Sequence, residues 1–96
     1  MIHVTLKPHA TLKAVFGQDS MIISVPEGST VGEVLDRAIS RFREDLEPRY
    51  GFQRSQELLQ HCILLLNGRH YSQPDALGSE VKDGDRVEIH APLAGG

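Results

Sequence analysis

Residues 30–46 read Thr30-Val31-Gly32-Glu33-Val34-Leu35-Asp36-Arg37-Ala38-Ile39-Ser40-Arg41-Phe42-Arg43-Glu44-Asp45-Leu46. The spacing of their apolar side chains decides the kind of domain. Val31, Val34, Leu35, Ala38, Ile39, Phe42 and Leu46 recur at steps of three and four, so a helix places them on one stripe. Asp36, Arg37, Ser40, Arg41 and Arg43 fall mostly on the opposite face. Thr30 with Glu33 three residues on fits a capping box, which satisfies two otherwise orphaned backbone donors. Pro48 disfavours helical geometry at Glu47, so the helix is expected to end about there. A single helix with one apolar stripe must cover a sheet, and the flanking residues supply it.

Before the helix, Ile2, Val4 and Leu6 alternate with His3, Thr5 and Lys7, the period of a half-buried strand. Pro8 lacks an N–H and is expected to end that strand. Residues 9–19 read as a connection with a turn at Gly17, and Met21-Ile22-Ile23-Ser24-Val25 as a second strand, antiparallel to the first. After the helix, Ser55-Gln56-Glu57-Leu58-Leu59 could begin a short helix. Cys62-Ile63-Leu64-Leu65-Leu66 is apolar throughout, as in a central strand covered on both faces or nearly so. Asn67-Gly68 is a two-residue turn signal, leading to a short strand at Arg69-His70-Tyr71. Pro74 to Lys82 reads as a polar connection with one helical turn. Asp83-Gly84 reads as a turn and Arg86-Val87-Glu88-Ile89-His90 as a last strand, with Val87 and Ile89 inward and Glu88 and His90 outward. The class is α+β, a mixed sheet with one main helix packed across it.

The chain of 96 residues, with 40% apolar and 24% charged residues, fits one globular domain. We place that domain at residues 1–91 and a flexible tail at 92–96. No apolar run approaches the roughly 20 residues of a membrane span. The start Met1-Ile2-His3-Val4-Thr5-Leu6 lacks the flanks of a signal peptide, so a cytoplasmic location is expected. The net charge of −3 comes with no basic block, which argues against nucleic acid as a partner. Cys62 is the single cysteine and reads as a small buried hydrophobe.

Catalytic chemistry is hard to find. His3, His9, His61, His70 and His90 do not stand at zinc-ligand spacing from one another, from the cysteine or from a carboxylate. They read as scattered surface histidines, and no metal site is expected. There is no nucleophile elbow and no phosphate-binding loop. The basic side chains Arg37, Arg41 and Arg43 read as a solvated helix face.

The C-terminus is different. Pro92 cannot donate to a sheet ladder, and Leu93-Ala94-Gly95-Gly96 follows it. With glycine near 7% of residues, two at the end arise by chance with a probability of about 0.5%. Glycine permits almost any backbone conformation and carries no side chain, so such a tail can thread a narrow channel to a buried nucleotide. Attack of the Gly96 carboxylate on the α-phosphate of ATP would give an acyl adenylate. Sulfur could then displace AMP and leave a thiocarboxylate.

The order of Val25-Pro26-Glu27-Gly28-Ser29-Thr30-Val31-Gly32, Leu66-Asn67-Gly68-Arg69, Asp83-Gly84-Asp85-Arg86-Val87-Glu88-Ile89 and terminal Gly95-Gly96 resembles the small subunit of molybdopterin synthase and the thiamine-type sulfur carriers. The resemblance covers nearly the whole chain. It implies a ubiquitin-like β-grasp fold and a carrier or small sulfurtransferase subunit with no catalytic site of its own. It further implies that an E1-like enzyme, using Mg-ATP, adenylates Gly96, and that the carrier itself binds no cofactor. For molybdenum cofactor synthesis it implies docking into a larger molybdopterin synthase subunit. Gly95 and Gly96 would carry the chemistry, while Glu88, His90, Pro92, Leu93 and Ala94 would meet the partner. The alternatives are carriers for thiamine, cysteine or tRNA thiolation, and a modifier joined to lysine by an isopeptide bond. The family often has aromatic and proline residues before the tail; here His90 and Ala91 stand there, with Pro92 retained.

Overall fold

The computed structural model describes residues 1–9, 11–42, 62–71 and 75–90. The chain runs β1 (Ile2–His9), α1 (Thr11–Phe16), β2 (Met21–Val25), α2 (Val31–Arg41), β3 (Ile63–Leu66), β4 (Arg69–Tyr71), α3 (Asp75–Gly78) and β5 (Arg86–His90). The strands form one sheet in the order β2-β1-β5-β3-β4. β1 is antiparallel to β2 and parallel to β5, and β3 is antiparallel to both β5 and β4. The first and last strands therefore lie side by side in the middle. This is the ubiquitin-like β-grasp arrangement.

α2 lies on the sheet as its apolar stripe requires: Val31, Val34, Leu35, Ala38 and Ile39 are buried. They meet Val4, Leu6, Ile23, Leu64, Val87 and Ile89 in one core. Four large aliphatic side chains of α2 leaving water, at roughly 1.5–3 kcal/mol each, outweigh any intrinsic helix preference. At the helix start, the Thr30 hydroxyl accepts a hydrogen bond from the Glu33 N–H at 3.4 Å, the first half of the expected box. The Val31 N–H donates to the Ser79 carbonyl at 2.9 Å. The helix stops earlier than expected. Phe42 is the C-cap, at φ −112° and ψ 23°, and its ring packs edge-on against Phe16 with centroids 4.8 Å apart. Leu46, the short helix sought at Ser55–Leu59, and Pro92, Leu93, Ala94, Gly95 and Gly96 lie outside the described residues.

Three other expectations need correction. β1 does not end at Pro8; it continues to His9 and pairs Pro8 with Ile89. The Thr5 N–H donates to the Asp85 carbonyl on the β5 side, so by alternation the nitrogen of Pro8 faces the β2 side. Pairing with β2 stops at Leu6, and no ladder bond is lost there. The connection from β1 to β2 is not plain loop but holds α1. Leu12 and Phe16, one turn apart, enter the core. Gly17 closes α1 at φ 72°, where a side chain would be strained. Finally, β3 is interior in the sheet but covered on one face only: Leu64 and Leu66 are buried, while Ile63 is 45% exposed.

The turn at Asn67-Gly68 is as read, with φ of 51° and 84°, the pair of positive values a type I′ hairpin needs. It also anchors β5. The Asn67 side-chain carbonyl accepts from the Arg86 N–H at 2.8 Å, and its amide donates to Asp85 Oδ1 at 3.0 Å. Among the described residues no helix is long and apolar enough to cross a membrane.

Candidate functional site: the outer face of the last strand

Strand alternation sends Val87 and Ile89 into the core and leaves Arg86, Glu88 and His90 on the face away from α2. The neighbouring strands fix what stands beside them. On β1, Lys7 is the register partner of Glu88, and His9 that of His90. On β3, Leu65 is the partner of Glu88, and Ile63 that of His90. The outer face near the end of β5 is therefore polar on one side and apolar on the other. Glu88 and His90 are not free solvent-facing side chains, as their outward reading suggested. They are half-buried among these neighbours.

His9 and His90 stack, with ring centroids 4.0 Å apart and planes within 5°. The His9 Nε2–H donates to Glu88 Oε1 at 3.0 Å, the direction set by a carboxylate that can only accept. Arg86 Nε lies 3.5 Å from the other carboxylate oxygen. The hydrogen bond from His9 holds the Glu88 carboxyl below its ordinary range; burial opposes this and the charge of Arg86 assists. His90 is also pushed down, first by burial and then by the neighbouring His9, with the Glu88 charge opposing.

The expectation of scattered surface histidines is thus corrected for His9 and His90. With Glu88 they bring three potential ligand atoms within 4.8 Å of one another. Spacing along the chain missed the cluster, because His9 and Glu88 are 79 residues apart and meet only through the parallel pairing of β1 with β5. One signal was present: each strand ends in a histidine. His3 lies apart, its Nδ1 3.7 Å from Asp83 Oδ1, with both side chains exposed.

Cys62 packs partly against the core. Burial pushes its thiol up to about 11, so it is protonated and a poor nucleophile at neutral pH. A shallow groove lined by Ile23, Ser24, Asp36, Arg37, Ser40 and Arg41 runs between β2 and α2. It is open to solvent and lies across the sheet from the end of β5.

Comparison with known proteins extends the picture. The family model described as the ThiS family matches residues 9–96. Small archaeal modifier protein 3 of Haloferax volcanii is 33% identical over 95 residues, covering 99% of this chain and 100% of that protein. The crystal structure of small archaeal modifier protein 1 from the same organism superposes with a TM-score of 0.78 at 30% identity, covering 98% of this chain and 99% of the other. A chain of the Amycolatopsis orientalis BexX/CysO complex superposes with a TM-score of 0.67 at 28% identity, covering 97% and 99%.

Proposed function

Because the chain belongs to the ThiS family, a family of ubiquitin-like sulfur carriers and modifiers, we propose that it carries sulfur on the carboxylate of Gly96. One observation carries the reading. β5 is a central strand that ends at His90, and the residues after it finish in Gly95-Gly96. A rigid sheet thus holds the base of a segment whose last residues are small enough to enter another protein's active site.

The chemistry belongs to the partner. In an E1-like enzyme a Gly96 carboxylate oxygen attacks the α-phosphorus of Mg-ATP, and pyrophosphate leaves. A sulfide-level donor then attacks the acyl carbon, the C–O bond to AMP breaks, and a thiocarboxylate remains. This chain's own part is to dock and to present the end. Glu88 and His90, with Pro92, Leu93 and Ala94 beyond them, form the docking surface. Ile63 and Leu65, the register partners of His90 and Glu88, add an apolar strip of the kind that marks partner surfaces. The sequence stretches shared with the molybdopterin synthase small subunit make molybdenum cofactor synthesis the first choice of pathway, with its large subunit as acceptor. The work is placed in the cytoplasm.

Intact-mass spectrometry after incubation with a cognate E1-like enzyme, Mg-ATP and a sulfur donor tests this. The expected result is a mass shift for one oxygen replaced by sulfur, lost when Gly96 is deleted. No shift, with an activating enzyme competent on another carrier, overturns it.

A second reading has a specific basis: the relative at 33% identity is named a modifier protein. As a modifier, Gly96 would pass from the adenylate to a lysine amine of a target and form an isopeptide bond. Covalent ladders in a lysate of the source organism, absent when Gly96 is deleted, would favour it.

A further inference from the structure

We propose that His9, Glu88 and His90 form a binding site for a divalent transition-metal ion of the zinc class, on the outer face of the sheet where β1 and β5 end together. Two imidazole nitrogens and one carboxylate oxygen are a donor set that zinc accepts, with a fourth position left for water. The three side chains stand on adjacent central strands, with His9 and His90 in direct register. Their backbone positions are therefore fixed before any ion arrives, which lowers the ordering cost of binding.

The distances are near what an ion needs. The ligand atoms lie within 4.8 Å of one another, and the His9–Glu88 pair is already at 3.0 Å. Bonds of about 2.0–2.1 Å in a tetrahedral shell put donors about 3.3 Å apart. The widest gap must therefore close by about 1.5 Å, within reach of side-chain rotation. Room for that rotation exists, since His9 and Glu88 side chains are 30% and 15% exposed. Two cations oppose the ion: Arg86, beside Glu88 Oε2, and the more distant Lys7. Arg86 is half exposed and lies against Oε2, which leaves Oε1, the oxygen facing His9, for the metal. The ion would replace the His9–Glu88 hydrogen bond. None of this depends on the fate of Gly96.

The test uses the untagged full chain, stripped with a chelator and titrated with zinc(II) alone by calorimetry at neutral pH. One ion per chain is expected. His9→Gln, His90→Gln and Glu88→Gln should each weaken binding by about tenfold or more, since losing even a group that only hydrogen-bonds a ligand costs about 10–100-fold. His3→Ala should leave it unchanged. Cobalt(II) should give the visible absorption of a four-coordinate N/O site in the parent and lose it in His90→Gln. A variant that misfolds does not decide the matter, because NMR of the parent chain reads the same question: zinc should shift the ring signals of His9 and His90 together. Absence of binding, unchanged affinity in both histidine variants, or zinc shifts confined to other histidines would overturn the proposal.

Discussion

The two faces of the sheet are built from the same strands and answer to different demands. On the inner face, Leu6, Leu64, Val87 and Ile89 are almost wholly buried against α2. There, free energy is set by volume and contact. On the outer face of the same strands, Lys7, Glu88, Leu65, His90 and Ile63 stand in register. That face keeps charge, ring stacking and an exposed isoleucine, and among the described residues no helix lies over them. Period-two alternation lets one strand serve both: every second residue enters the core, while those between stay available for recognition.

The contrast can be broken most forcefully from inside. Ile89→Ala should cost about 2–5 kcal/mol of unfolding free energy, as a buried aliphatic truncation leaves a cavity at the centre of the core. Chemical denaturation followed by circular dichroism measures it; a loss under about 1 kcal/mol would mean that the inner face is loosely packed. A smaller effect sharpens the border between the faces. With the Cys62 thiol at about 11 against an ordinary 9.0, alkylation at mildly basic pH should run about 100-fold slower than for a free cysteine. Its rate should climb with pH until about 11. A rate that levels off near 9.0 would put the thiol in water. The smallest effect is expected outside. Ile63→Thr keeps β-branching at an exposed site and should change stability by no more than about 0.5 kcal/mol. The same substitution should weaken association with the activating enzyme if the apolar strip is part of the docking surface.

How much of this was legible in the chain follows from the range of the interactions involved. Periodicity reports local contacts, so α2 and the alternation in β1, β2 and β5 could be read directly. Asn67-Gly68 and Asp83-Gly84 could be read because positive φ restricts residue choice locally; Asn67, Gly68 and Gly84 all adopt it. α1 was missed because Leu12 and Phe16 give a single i, i+4 pair, too short a pattern to separate from loop. The true end of α2 was missed because Phe42 continues the apolar stripe in sequence but turns its ring to Phe16, a contact between distant elements. β3 was read as covered on both faces because four consecutive apolar residues look alike, whichever of them meets solvent. The site divides in the same way. Glu88 and His90 were picked out from their place on an alternating strand. His9 was not, since only the pairing of the first strand with the last brings it to them.

That pairing has a consequence for how the molecule comes into being. β5 is the seam of the sheet, joined to β1 on one side and to β3 on the other. It is also the last of the described strands in chain order. Until it emerges, β1 with β2 and β3 with β4 are two separate ribbons, each too small to be stable alone. Contacts this far apart in sequence form late and slowly. The sheet should therefore close only once β5 has been made. A chain truncated before Arg86 would lack this seam and stay unfolded and open to proteases.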